Sequence, residues 1–297
     1  MTAERASHMQ DLLCGLLQVI LIKVGHMVEK PLATNITSVI IQMFKQAEKV
    51  TENGLIAYQG MVVGMGEKID ISDIGSYIKY ALESKDNDCA KLACGIISDL
   101  SGSMEERMNE YLDDFVPCLH NILRDQTMDR KVKLTALHAL GDLCVYSGEA
   151  FNKKFLEGTM TIMSQAARLS CTTAEDQDTT EYLSELRETI IDQYIIILIA
   201  AGDTGCLEKF SPYLESVFDF IEQTAKIAGM QNPKVLKMII ALLGDIATQF
   251  PQHLGVKQRA TLPYIEQSIL ALQQMPEAEY KEQANYTLDA IKKIIQA

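Results

Sequence analysis

Five aspartates stand in the same local setting along this chain, each two to three turns into an apolar helical pattern: Asp99, Asp142, Asp192, Asp245 and Asp289. They are separated by 43, 50, 53 and 44 residues, the period of stacked two-helix repeats of roughly 40–47 residues with loop insertions. Three share a spelling, Ile97-Ser98-Asp99-Leu100, Leu140-Gly141-Asp142-Leu143 and Leu243-Gly244-Asp245-Ile246. A solenoid aligns equivalent positions of successive repeats along one wall, so these side chains are expected to form a ladder of negative charge, helped by Glu181, Glu185 and Glu188. The chemistry of such a ladder is binding: each exposed ion pair contributes only ~0–1 kcal/mol, but the summed potential of an acidic wall attracts a Lys/Arg-rich guest. The competing reading of any one aspartate is a hydrogen bond between repeats or ordinary solvated surface. Helix interiors do not favour Asp intrinsically, which speaks for a role of the set.

Catalytic patterns are weak by comparison. Gly60, Gly64 and Gly66 spell G-x-x-x-G-x-G, but no strand precedes them and Glu67-Lys68 follows without Ser or Thr; a helix-end stop is the better reading. His8, His26, His120, His138 and His253 show no H-E-x-x-H, and no G-x-S-x-G occurs. No catalytic residue, metal site or cofactor is expected, and the 14 methionines suit adaptable packing.

The elements that must position the acids are all helical. Apolar residues recur at spacings of three and four almost throughout, with no sustained alternation bounded by hairpin turns. The spacing predicts helices at about 8–24, 31–46, 51–66, 73–84, 87–102, 105–124, 129–147, 151–170, 180–201, 206–228, 233–249, 253–273 and 277–296. Pro31 suits a first helical turn and Thr51 an N-cap. Phe115-Val116-Pro117-Cys118-Leu119 returns as Phe210-Ser211-Pro212-Tyr213-Leu214 and as Thr261-Leu262-Pro263-Tyr264-Ile265. A proline inside a helix bends it, so a curved outer layer is expected. In the unit Tyr111 to Tyr146, Val132, Ala136, Leu140, Leu143 and Cys144 should be buried, leaving Lys131, Thr135, His138 and Asp142 on the opposite, concave stripe.

Bulk properties set limits. Twenty-seven Lys+Arg against 40 Asp+Glu give a net charge of −13, which argues against nucleic acid or anionic membrane and for cationic partners. No membrane-spanning segment is expected, since Tyr194–Ala201 is far short of ~20 apolar residues, and no signal peptide opens the chain. Seven scattered cysteines without a C-x-x-C pair suggest reduced thiols in cytosol or nucleus.

A proline-bent outer helix, an acidic turn and then Lys or Arg entering a straight Ala/Leu/Gly-rich inner helix are the marks of HEAT repeats. The fold expected is a right-handed α-α superhelix of about six helix pairs preceded by one unpaired helix. Residues 10–297 form the array, read as the C-terminal part of a longer receptor, and 1–9 a lead segment, read either as disordered or, from Ser7-His8-Met9, as left over from cloning. The last helix, with Lys292 and Lys293, reads as a soluble cap. More specifically, Glu181-Tyr182-Leu183-Ser184-Glu185-Leu186-Arg187-Glu188, preceded by the acidic stretch Thr173 to Asp178, resembles the importin-beta (karyopherin-beta) family of nuclear import receptors. Gln10 to Cys14, Gly141 to Cys144, Gly244 to Ile246 and the terminal Gln296-Ala297 are similar to further stretches of that family.

The resemblance implies a receptor that wraps the basic importin-beta-binding helix of importin-alpha in its C-terminal repeats. It implies Phe-Gly nucleoporin binding between outer helices, for which Phe115, Leu119, Phe155, Tyr213 and Phe218 are candidates, with Met160 and Phe220 beside them. Ran-GTP would act through the intact receptor, basic cargo peptides would be further partners, and the location would be cytoplasm and nucleus, including the nuclear pore and envelope. Departures are Val63, where the family carries an acid, and Asn285, where it carries a tryptophan. The alternatives are a karyopherin that binds cargo directly, or a non-transport HEAT scaffold such as a phosphatase regulatory subunit.

Overall fold

In a computed structural model, which describes residues 3–173, 176–229 and 232–296, helices account for nearly all of the chain and no strand occurs among the described residues. The lead residues Met1 and Thr2, the loop residues Ala174 and Glu175, and Ala297 of the terminal match lie outside the described residues. The chain divides into two units between Ser147 and Gly148.

The first unit holds α1 (Ala3–Val24), α2 (Lys30–Ala47), α3 (Glu52–Met65), α4 (Gly75–Glu83), α5 (Asn87–Met104), α6 (Leu112–Arg124) and α7 (Arg130–Tyr146). Helices α1, α3, α5 and α7 stack side by side as an inner layer, while α2, α4 and α6 each lie outside the inner helix that follows them. Local chemistry fixes the starts of the inner helices. Thr51 Oγ1 accepts the Gly54 N–H and Asp129 the Lys131 N–H, satisfying donors that the first turn leaves free. Asp86 caps α5, which starts at Asn87 as the spacing predicts. Val132, Ala136, Leu140, Leu143 and Cys144 are buried, and Lys131, Thr135, His138 and Asp142 reach the surface of α7.

The second unit holds α8 (Gly148–Ser170), α9 (Gln177–Asp203), the short α10 (Leu207–Phe210), α11 (Leu214–Thr224), α12 (Pro233–Gln249), α13 (Leu254–Ala260), α14 (Pro263–Gln273) and α15 (Ala278–Gln296). Its inner layer is α9, α12 and α15, with α8, α11 and α14 outside. Each unit is thus a run of outer–inner helix pairs of a right-handed α-α superhelix. One feature of the predicted pattern is corrected. Pro117 does lie inside a continuous helix, but Pro212 sits in the 3-10 turn between α10 and α11, and Pro263 opens α14 after a break from α13. A proline can occupy a first helical turn without losing a hydrogen bond, so two of the three prolines divide the outer helix instead of bending it.

The glycines of the G-x-x-x-G run have a packing task. A Cβ on Gly60 would lie 2.6 Å from Gln18 Cα, and one on Gly64 would overlap the Leu21 carbonyl; at Gly25 it would lie 2.7 Å from the Gly64 carbonyl carbon. Backbone meets backbone there, which only glycine allows. Gly66 has φ +54° and ends α3, the helix stop expected of it. The opposite side of α1 is apolar and exposed, with Leu12, Leu13, Leu16 and Val19 each more than half accessible. His8–Met27, of mean hydropathy 1.2, is by length and composition apolar enough to cross a membrane. That corrects the expectation that no segment reaches this length; here the helix is laid along α3.

Candidate functional site

All five aspartates sit on inner helices, but their surroundings differ. In the first unit Asp99 on α5 accepts a hydrogen bond from Gln59 Nε2 of α3 at 3.1 Å. Ser98 Oγ of the same helix donates to Asp142 Oδ2 of α7. In the second unit Tyr286 of α15 donates its hydroxyl to Asp245 Oδ1 of α12 at 2.9 Å. These three carboxylates are half-buried and join neighbouring repeats. Asp192 and Asp289 are exposed, and Asp289 also meets Lys292 at 3.7 Å within its own helix.

Burial explains the acid–base behaviour. It pushes the Asp99 carboxyl above its ordinary value of 3.8, opposed by the Gln59 hydrogen bond and reinforced by the charge of Asp142. Burial raises Asp245 as well, with the Tyr286 hydroxyl opposing it. An acid whose folded-state pKa lies above 3.8 destabilises the fold once ionised; the effect is absent below pH 3.8, grows as pH rises from 3.8 to the raised value, and is complete above it. Asp99→Asn, which keeps an acceptor for Gln59, is therefore expected to raise the melting temperature at neutral pH and to leave it unchanged below pH 3.8. Equal shifts at both pH values in thermal melts would contradict this.

The strongest acidic feature lies along a single helix. Glu181, Glu185, Glu188 and Asp192 follow one another on α9 at spacings of four, three and four, which places them on one face over about 16 Å at 1.5 Å rise per residue. Glu181, Glu185 and Asp192 are exposed and Glu188 is half-buried. The intervening Leu183, Leu186 and Ile190 point into the core, and Arg187, only 7% exposed, donates from Nε and Nη2 to the Ser170 carbonyl at 3.1 and 3.0 Å. A buried guanidinium on the last carbonyl of α8 interacts favourably with the negative end of that helix. The octapeptide of residues 181–188 thus anchors α9 with one set of side chains and presents acids with the other.

The aromatic candidates fare differently. Phe115, Leu119, Met160, Phe218 and Phe220 are buried core residues, none more than 4% exposed, so their assignment to a ligand slot is corrected: no guest can touch them while the repeats stay packed. Phe155 and Tyr213 are partly accessible, and the Tyr213 hydroxyl is already bonded to the Glu157 carbonyl at 2.9 Å. Accessible apolar space lies elsewhere. A cavity of about 350 Å³ between α2 and α4 is lined by Phe44, Val50, Tyr77 and Tyr80, with the Phe44 and Tyr77 rings 5.3 Å apart. Another, of about 360 Å³, opens between α14 and α15 beside Leu262, Ile269, Leu270, Ile291 and Ile295, while Lys292 and Lys293 of the last helix are exposed. Val63 is exposed and Asn285 accepts a hydrogen bond from Gln273.

A family model described as importin subunit beta-1-like, TPR repeats, matches residues 2–273. The chain belongs to this importin-beta family. Importin subunit beta-1 of Schizosaccharomyces pombe is 25% identical to it over 258 residues, which are 84% of this chain and 29% of the relative. The chain therefore spans less than a third of that relative's length. Yeast importin-beta (Kap95p) has the same fold, with a TM-score of 0.82 over 100% of this chain and 35% of the other at 22% identity. The structure of a Kap95:Nup1 complex also gives 0.82, again covering 100% of this chain and 35% of the other at 22% identity.

Proposed function

We propose that this chain is the part of an importin-beta-type receptor that holds the basic importin-beta-binding helix of importin-alpha, and basic cargo peptides of similar chemistry, against the acidic face of its inner helices. The observation that carries the reading is the α9 stripe of four carboxylates, in a protein of net charge −13. A helix face of this kind matches a Lys/Arg-rich helix, which can set a cation opposite each acid. Asp289 and the partly accessible Asp245, on inner helices of the same unit, add to the field, and Asp99 and Asp142 give the first unit acids of its own. Ran-GTP would act on the intact receptor, which would work in cytoplasm and nucleus and at the nuclear pore and envelope. Family membership favours this over a phosphatase-type scaffold. The test is titration of a labelled Lys/Arg-rich helical peptide at low and physiological ionic strength. Affinity is expected to fall by about tenfold or more as the exposed charges become screened. Salt-independent binding, or none at low salt, would overturn the reading.

A second reading rests on the α2/α4 cavity. Its aromatic floor and the 56% exposed Tyr80 suit the phenyl ring of a Phe-Gly nucleoporin segment, in place of the buried Phe115, Leu119 and Phe218. The Kap95:Nup1 complex supports a nucleoporin as the kind of partner.

A further inference from the structure

Helix α12 starts at Pro233, directly after Asn232, whose side-chain oxygen accepts the backbone N–H groups of Lys234 at 3.1 Å and Val235 at 3.3 Å. This cap fixes the first turn and so the root of the Lys234 side chain. From there Nζ reaches Glu188 Oε2 on α9 at 2.6 Å, although Lys234 itself is 69% exposed. Glu188 first, and Asp192 after it, raise the pKa of this ammonium. One turn further on, Lys237 goes the other way and meets Glu279 of α15. Both lysines stand near the start of one helix and both pair with a neighbouring repeat. Of these two lysines, Lys234 is the one that lands inside the row Glu181, Glu185, Glu188 and Asp192.

We propose that Lys234 is a built-in placeholder for a ligand cation: in the absence of a guest its ammonium occupies the α9 stripe at Glu188, and a basic ligand binds by displacing it. The inference rests on the binding reading given above. Its consequence is selectivity. A guest carrying one basic group exchanges one exposed ion pair for another and gains little, because such pairs contribute little net free energy. A guest carrying several cations at helical spacing displaces Lys234 once and meets further acids of the stripe at the same time, so the stripe favours polybasic helices over singly basic ones. The released ammonium sits on a flexible stem and can turn to solvent, so displacement needs no backbone movement.

The experiment compares the full chain with Lys234→Gln and with Lys237→Gln, which removes the same charge from the same helix outside the stripe. Each is titrated with a Lys/Arg-rich helical peptide and with a peptide of the same length carrying a single lysine. Lys234→Gln is expected to bind the polybasic peptide about two- to fivefold tighter, the span of one exposed pair at the upper half of its usual range, and to gain more for the singly basic peptide. Lys237→Gln should stay near wild type. Binding detected only in Lys234→Gln would likewise support the placeholder. Unchanged or weaker binding in Lys234→Gln, or an equal gain in both variants, would overturn it. If wild type binds the polybasic peptide in a salt-dependent way while Lys234→Gln gains nothing, the placeholder alone fails. If no protein binds either peptide, the binding reading fails with it.

Discussion

Replacing Gly64 with alanine is expected to dislodge α1 from α3, with a loss of about 3 kcal/mol or more, at or beyond the upper end of what overpacking usually costs. The new Cβ would overlap the Leu21 carbonyl, and its other near neighbours are also backbone atoms of α1. Side chains can rotate away from an intruding methyl; a helical carbonyl can retreat only if the whole helix moves. Leu21 and Cys14 are buried where they stand, so that movement also uncovers apolar surface, at about 25 cal/mol per Å². Hydrogen exchange should show faster exchange across residues 12–24, together with a lower denaturation midpoint. Two other glycines serve as controls. At Gly15 nothing lies within 4 Å of a new Cβ, and alanine there should stabilise by up to about 1 kcal/mol through helix propensity alone. Gly66 also has open space but φ +54°, so alanine should cost about 1 kcal/mol through backbone strain. If Gly64→Ala matched Gly15→Ala in midpoint and exchange, the close α1–α3 contact would be wrong.

The glycine contact also shows which features were legible before the fold was known. Helix positions, the inner and outer alternation and the burial pattern of α7 follow from the period of apolar residues, because burial in a repeat stack is dictated by one face per helix. The α9 stripe was equally readable, since all four acids lie within three turns of one helix. What the period does not encode is a partner about 40 residues away. Gln59, Ser98 and Tyr286 are ordinary polar residues in sequence, and only stacking brings them to Asp99, Asp142 and Asp245. The prolines misled for a related reason: Pro117 and Pro263 occupy one motif, yet one lies within a helix and the other starts one, depending on whether the preceding turn continues. Aromatic residues on outer helices were ambiguous because each outer helix faces both its inner partner and its neighbours. The large rings of Phe115 and Phe218 fill the core, while the accessible rings, Tyr77 and Tyr80, lie on a helix that the motif did not mark.

Long-range staples change what the aspartates are expected to do. A carboxylate that already accepts a hydrogen bond from the next repeat has one direction of approach taken and part of its hydration removed. Its contribution to a guest is smaller, and its contribution to the stacking of repeats larger, than that of an acid held out in water. Asp99, Asp142 and Asp245 belong to the first kind; Glu185 belongs to the second, and the exposed Glu181 takes a hydrogen bond from Gln177 of its own helix at 2.8 Å.

That difference leads to an ordering of variants. Glu181→Gln, Glu185→Gln, Glu188→Gln and Asp192→Asn combined should weaken a Lys/Arg-rich helical peptide by about fourfold to several hundredfold, from four pairs at ~0.2–1 kcal/mol each, and should flatten the salt dependence. Much of the loss should appear as slower association, since an acidic face steers a cationic ligand before contact. The fold should be nearly unaffected: Leu183, Leu186 and Arg187 still anchor α9, and loss of the Glu188–Lys234 pair removes a surface contact only. The combination Asp99→Asn, Asp142→Asn and Asp245→Asn should behave in the opposite way, weakening the peptide less while raising stability at neutral pH, where burial disfavours the charged forms of Asp99 and Asp245. Stopped-flow association at several salt concentrations, with melts of both combinations, measures each side. If the α9 combination binds like wild type while the staple combination loses the peptide, the ligand lies along the junctions between repeats and the α9 acids are only a solvated face.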